Sequence, residues 1–213
     1  QCRRFLAIGL PLALQEFLTQ LSFLALCAFV NRLGLEASSG YGVACKIVNF
    51  AMLVPSALMQ SMASFVAQNI GAGKEKRAKQ SMFTGIGVGL VVGCLVFVLI
   101  LLKGDVLAGI FSSDAAVVLA AADYLKAYAI DCMLTAIFFC YTGFYNGIGR
   151  TKFVMLQGIV GALGVRVPIS YLMSRLPDTS LFKIGLATPM SSAVQLILCL
   201  GFMLYLKRKK VVD

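Results

Sequence analysis

Six long apolar stretches separated by short polar links constrain this chain more than any other feature. They run over residues 5–30, 41–68, 82–102, 115–145, 153–173 and 184–206. An α-helix needs about 20 consecutive apolar residues to cross the roughly 30 Å hydrocarbon core of a bilayer, and each stretch reaches that length. None alternates as a strand does, and transmembrane barrels lack such runs. Composition agrees. Hydrophobic residues make up 60% and charged residues 13%, with a mean hydropathy of +0.89, against about half and about a quarter in soluble domains. A soluble fold of 213 residues has too little interior for this much apolar surface, whereas a bilayer accepts it. The expected fold class is therefore an all-α membrane protein: a six-transmembrane-helix bundle over residues 1–213, ending in a basic cytoplasmic tail at 207–213.

The distribution of charge orients the bundle. The net charge is +10, from 19 Lys+Arg and 9 Asp+Glu. On a soluble protein this excess would suggest nucleic acid. Here the charges sit in the links, where the positive-inside rule and anionic headgroups account for them, and no nucleic-acid partner is expected. One side carries Arg3, Arg4, Lys74, Lys76, Arg77, Lys79, Arg150, Lys152, Lys207, Arg208, Lys209 and Lys210, and the other carries Arg32, Lys103, Lys126, Arg175 and Lys183. Lys46 and Arg166 fall within spans. The bias places both termini, with the 69–80 and 147–152 links, in the cytoplasm, and the expected location is the plasma membrane. Seven Cys and no His, with no CxxC pair, argue against metal sites and His catalysis; the thiols read as small buried side chains. The apolar run after Arg3 and Arg4 is too long for a signal peptide. A start at Gln1 instead of Met leads to the expectation that the sequence begins within a longer protein.

Polar residues inside the spans mark the candidate site. An ionisable side chain at mid-membrane costs about 2.5–3.5 kcal/mol on insertion scales, so it pairs or faces water. In the first run Gln15, Glu16, Thr19, Gln20 and Ser22 share one flank at helical spacing, opposite Phe17, Leu18, Leu21 and Leu24. In the fourth run Tyr124, Tyr128, Asp131 and Thr135 follow at steps of 4, 3 and 4, a single stripe. A carboxylate one turn from an aromatic ring suits a proton, a metal cation or an organic cation, the last by cation–π contact as well. Lys46 reads as snorkelling to the headgroups. Arg166, two residues before Pro168, reads either as capping a carbonyl that the proline frees or as a substrate contact. Pro11 and Pro55 predict breaks in the first two spans. Gly85, Gly87, Gly89 and Gly93, and again Gly158, Gly161 and Gly164, predict close helix packing.

The link after the second span is the most specific motif. Gln68-Asn69-Ile70-Gly71-Ala72-Gly73 is followed by Arg77-Ala78. Glycines let the chain leave one helix and turn, and basic residues hold the turn at the membrane surface. The segment resembles a signature of multidrug and toxic compound extrusion (MATE) transporters. Gly9-Leu10-Pro11, the glycine-rich 143–151 turn and Val165-Arg166-Val167-Pro168 are similar to other elements of that family, and to its second six-helix half more than its first. The resemblance implies a twelve-helix, two-lobe transporter, with this chain as one half and a second half as partner. It implies export of cationic or amphipathic small molecules against H+ or Na+, without a cofactor and without a resident metal. In many family members an acid on each of the two corresponding helices serves the coupling cation. That points to Glu16 and Asp131, with Thr19 and Thr135 at the best-matching positions one turn later; Gln20 and Tyr128 complete the expected site.

Two other readings remain at this point. A lipid-linked oligosaccharide flippase of the same superfamily would use a larger cationic groove, and only Lys46 and Arg166 are membrane-embedded cations. A scaffold or channel subunit leaves the polar stripes without a purpose and lacks a filter motif. The absence of a nucleophile–base pair argues against an enzyme.

Overall fold

The computed structural model describes residues 2–177 and 179–208, with side chains from Gly9 onward. Gln1, Asp178 and residues 209–213, which hold Lys209, Lys210 and most of the expected basic tail, lie outside the described residues, as do the side chains of Arg3 and Arg4. Every regular element among the described residues is helical, and six helical stretches are long and apolar enough to span a bilayer.

The first span is α1 (Cys2–Val30), followed by a 3₁₀ turn at Asn31–Leu33. The second is α2 (Leu35–Ala51) and α3 (Leu53–Gly71), and the third is α4 (Glu75–Gly109). The fourth, α5 (Ala115–Gly147), has 33 residues, about 50 Å at 1.5 Å per residue, so it projects beyond the hydrocarbon layer. The fifth joins α6 (Thr151–Ile159), a π-helical segment (Val160–Arg166) and α7 (Val167–Ser174). The sixth joins α8 (Leu181–Gly185) and α9 (Ala187–Arg208).

The proline expectations divide. Pro55 sits three residues after the α2–α3 break at Met52, as the loss of its N–H and the bulk of its ring require. Pro11 does not break the helix: α1 runs through it. Pro168 follows the π-helical turn, whose wider spacing accommodates the missing donor. Carbonyls of that segment are met by hydroxyls: Ser191 Oγ donates to Gly161 O at 2.7 Å and Ser170 Oγ to Arg166 O at 2.7 Å. A further kink, not marked by proline, falls at Lys103 (φ −136°) inside α4.

The 69–74 and 145–150 links close with the same hydrogen-bond pattern. Gly73 N donates to Ile70 O and Lys74 N to Asn69 O; Gly149 N donates to Asn146 O and Arg150 N to Tyr145 O. Gly73 (φ +70°) and Gly149 (φ +75°) take the left-handed conformation that ends each helix. Because α4 begins at Glu75, most of the basic 74–79 segment is the first turn of a helix and not part of a loop. At the other side of the bundle Asp114 Oδ1 caps α5 by accepting from Ala116 N at 2.9 Å.

α5 is the hub. It packs against α2, α3, α4, α6, α8 and α9, while α1 leans on α6, α7 and the π-helical segment. Small residues allow the closest approach: a Cβ on Gly93 would lie 3.1 Å from Cys132 O, and one on Gly89 3.4 Å from Ala136 O. Gly85 faces Cys140 and Met62 in the same row. Gly87 does not belong to that ridge, with nothing within 4 Å of its Cβ direction; two residues from Gly85, it points to another side of the helix. Gly158 and Gly161 pack on Gln15 and Gln195, whereas Gly164 meets only Val160 of its own segment.

The apolar core is two clusters. One gathers Leu26, Tyr41, Ile47, Ile100, Tyr124, Tyr128 and Ile184 around the first half of α5. The other gathers Val66, Met82, Phe144, Tyr145, Cys199 and Leu206 around its second half. Asp131 and Thr135 lie at the seam. Outside, Phe17, Leu24, Phe83, Leu95, Leu102 and Ile197 are exposed, a surface that suits lipid and not water.

Candidate functional site

At that seam the bundle holds a cavity of about 300 Å³, walled by α1, the α2–α3 break, α5, the π-bulged fifth span and α9. All six side chains expected to form the site border it: Glu16, Thr19 and Gln20 from α1, and Tyr128, Asp131 and Thr135 from α5. Helical periodicity explains the convergence, since each stripe recurs every three or four residues and so faces one way.

The two acids differ in setting. Asp131 is 2% exposed. Thr135 Oγ1 donates to its Oδ2 at 3.1 Å, and Oδ1 has no hydrogen-bond partner. The Tyr128 hydroxyl beside it is likewise buried and unpartnered. Glu16 is exposed on the cavity's rim and accepts from Gln20 Nε2 at 2.9 Å, one turn along α1. Gln20 thus holds the Glu16 carboxylate, as Thr135 holds that of Asp131.

Arg166 joins the wall from the end of the π-helical segment. It is 6% exposed. Of its two expected roles, capping of a proline-freed carbonyl is not what the structure contains. Nη1 donates to Ser22 Oγ at 3.1 Å, and the guanidinium lies 4.2 Å from the centroid of the Phe23 ring. Nε has no partner. Ser22 passes the contact on by donating to Thr19 O at 2.7 Å. Arg166 therefore ties the fifth span to α1 through a cation–π contact and a charge-assisted hydrogen bond. It reaches Ser22 and not the Asp131 carboxylate, which leaves oppositely charged groups with unpartnered atoms on one cavity wall.

The sequence reading missed the contribution of α9. Thr188, Ser192 and Gln195 line the cavity. Their steps of 4 and 3 form the same kind of stripe as in the fourth run, so the signal was present. Asn49 and Thr142 also line it: Thr142, two turns beyond Thr135, continues the α5 stripe, and Asn49 stands seven residues before Ser56. Lys46 is exposed and away from the cavity, its Nζ 5.7 Å from the Phe111 ring centroid.

The motif residues Gln68, Asn69, Gly71, Gly73 and Arg77 stand apart from the cavity and build the turn after α3. Gln68 O accepts from Ala72 N at 3.0 Å, and Asn69 Nδ2 donates to Phe65 O at 2.7 Å. No group of three or more metal-ligating side chains occurs among the described residues.

A six-span helical bundle with charged side chains converging on a cavity between its helices is the build of a polytopic membrane domain. Residues 11–172 match the MatE family, and the chain belongs to that family. It is 24% identical over 205 residues to the probable multidrug resistance protein YoeA of Bacillus subtilis (strain 168), covering 96% of this chain and 44% of the relative. It is 30% identical over 173 residues to the multidrug export protein MepA of Staphylococcus saprophyticus, covering 79% of this chain and 37% of the relative. A crystal structure of MATE in the bent conformation superposes with a TM-score of 0.88 at 19% identity, over 98% of this chain and 46% of that one. The chain thus spans less than half the length of the curated relatives it matches.

Proposed function

We propose that this chain is one lobe of a secondary antiporter of the plasma membrane, expelling cationic or amphipathic compounds in exchange for H+ or Na+. Asp131 carries this reading. It is a buried carboxylate among membrane helices, on a cavity wall, with the neutral hydroxyls of Ser192 and Thr135 beside it and no cation paired to it among the described residues. Such a group is costly at mid-membrane and is retained where it meets an ion or substrate. The Tyr128 ring offers an aromatic surface to an organic cation, and Thr19, Gln20 and Thr135 offer oxygens. Substrate and coupling ion then compete for the Asp131 carboxylate, so that binding one weakens the other. The names of the relatives support transport, not chemistry on the substrate. A flippase is less well supported, because Arg166 is the one cation lining the cavity among the described residues, beside two acids.

On this reading a second six-helix half completes the cavity, and both ends of the chain face the cytoplasm. The test is reconstitution of the full-length protein in vesicles with an imposed H+ or Na+ gradient, following a fluorescent organic cation. Gradient-driven movement is expected with one of the two ions, and movement indifferent to both gradients rejects antiport. Cysteines placed at Lys76 and Ser112 test orientation: an impermeant reagent added to intact cells should label position 112 and spare 76.

A further inference from the structure

A second groove lies on the side of α3 away from the cavity. Its volume is about 430 Å³, and α3 and α4 form its walls. On α3, Leu58, Ser61 and Phe65 follow at steps of 3 and 4, a stripe distinct from the Ser56 and Met59 that face the cavity. On α4 the wall runs from Arg77 through Gln80 to Thr84, about 10 Å along the axis at 1.5 Å per residue.

The chemistry is graded along this length. Arg77 stands in the first turn of α4, before the apolar run that starts at Met82, which sets it at headgroup level. Its guanidinium lies 5.5 Å from the centroid of the Phe65 ring, with no carboxylate partner among the described residues. Lys74, Lys76 and Lys79 surround it in sequence. Two of the groove's hydroxyls are engaged: Ser81 Oγ donates to Ala78 O at 2.7 Å and reaches Met62 Sδ of α3 at 3.6 Å, and Thr84 Oγ1 donates to Gln80 O at 3.0 Å. The Arg77 guanidinium and the Gln80 amide stand at the mouth, with the Ser61 hydroxyl on the facing wall. Below them Leu58, Met62 and Phe65 give an apolar channel opening towards lipid.

We propose that this groove binds one anionic phospholipid, its phosphate on Arg77, its glycerol esters near Gln80 and an acyl chain along Leu58 and Phe65. A cationic mouth above an apolar channel matches an anionic headgroup above a hydrocarbon tail. The neighbouring lysines add the attraction expected of a basic cluster at the membrane surface. The cation–π contact with Phe65 holds the guanidinium over the channel without neutralising it.

Native mass spectrometry of the full-length protein tests this, with phosphatidylglycerol and phosphatidylcholine of identical acyl chains. One phosphatidylglycerol should be retained in preference to phosphatidylcholine. Arg77→Gln should weaken its retention by about five-fold, the effect of one basic residue at a membrane surface. Leu58→Trp, which fills the channel and leaves every charge, should weaken it as well. Lys152→Gln, at the same side of the membrane but outside the groove, should leave it unchanged. Equal retention of the two lipids, or wild-type retention by both groove variants, overturns the proposal. So does an equal loss in Lys152→Gln, which would mean diffuse adsorption. Thermal unfolding of each variant separates loss of lipid from loss of fold.

Discussion

Asp131 and Glu16 border one cavity, but they stand on helices of opposite character. In an apolar 18-residue stretch of α5 72% of the residues are buried; in that of the first span 17% are. Asp131 is accordingly buried on the inner wall of the cavity, held by Thr135 of its own helix, while Glu16 lies on the open rim, held by Gln20 of its own helix. The shared device is a neutral side chain one turn away that fixes a carboxylate. What differs is the surroundings: α5 cannot move without repacking the whole bundle, whereas α1 touches chiefly the fifth span. The hub therefore presents a fixed acid and the rim an acid whose position follows α1. Arg166, bridging to Ser22 and Phe23, is the link that sets where α1 stands.

The largest expected effect comes from disturbing the hub. A side chain at Gly143 would press a Cβ to 2.5 Å from Met59 O and 2.9 Å from Met62 Cβ. Gly143→Val should cost about 3 kcal/mol, the upper part of the range for overpacking, read as loss of monodisperse protein after extraction. Gly9→Ala on α1, where nothing lies within 4 Å, should leave yield and melting temperature unchanged. Equal damage at both positions would break the contrast between hub and rim.

Next come the acids. Asp131→Asn should preserve the fold, because the amide oxygen still accepts from Thr135, and should lower ion-driven uptake of a fluorescent cation by at least about ten-fold, equivalent to about 1.4 kcal/mol. Glu16→Gln should lower it only about two- to three-fold, below 1 kcal/mol on the same scale, since the rim keeps its hydrogen bond to Gln20 and remains open to water. A larger loss at Glu16 than at Asp131 would reverse the assignment of fixed and movable acids. If neither change alters the ion dependence, both side chains are structural and the coupling group lies elsewhere in the full-length protein.

How much of this was legible depended on whether information was local or tertiary. The spans and the stripes on α1 and α5 follow from apolar length and helical period, which one sequence carries. The row Gly85, Gly89 and Gly93 also follows from period, and Gly87 should have been set aside on the same ground. The partner of Arg166 is 144 residues away in sequence, and no local rule joins Arg166 to Ser22. The π-helical turn was marked only by Pro168 downstream, and the kink at Lys103 by nothing at all. The cavity wall on α9 was readable as Thr188, Ser192 and Gln195. It holds no ionisable residue and so stands out less than the stripes on α1 and α5, although neutral polar side chains make up about half of this cavity's lining.

The smallest expected effect sharpens the comparison within the hub itself. Tyr128 is buried one turn from Asp131, yet its hydroxyl has no hydrogen-bond partner. A buried polar atom left unpaired costs roughly 1–3 kcal/mol of desolvation that nothing in the fold returns. The ring has a structural purpose, packing in the first apolar cluster; the oxygen does not. Tyr128→Phe keeps the ring and removes the oxygen. The melting temperature should therefore hold or rise slightly, while transport of an organic cation falls by no more than about two-fold, since the ring face that a cation meets is retained. A fall in stability of about 1 kcal/mol, the typical net worth of a hydrogen bond, would show that the hydroxyl is paired after all, through water or Asp131. Tyr128 would then belong with Thr135 among the groups that hold the fixed acid, and not with those that face the ligand.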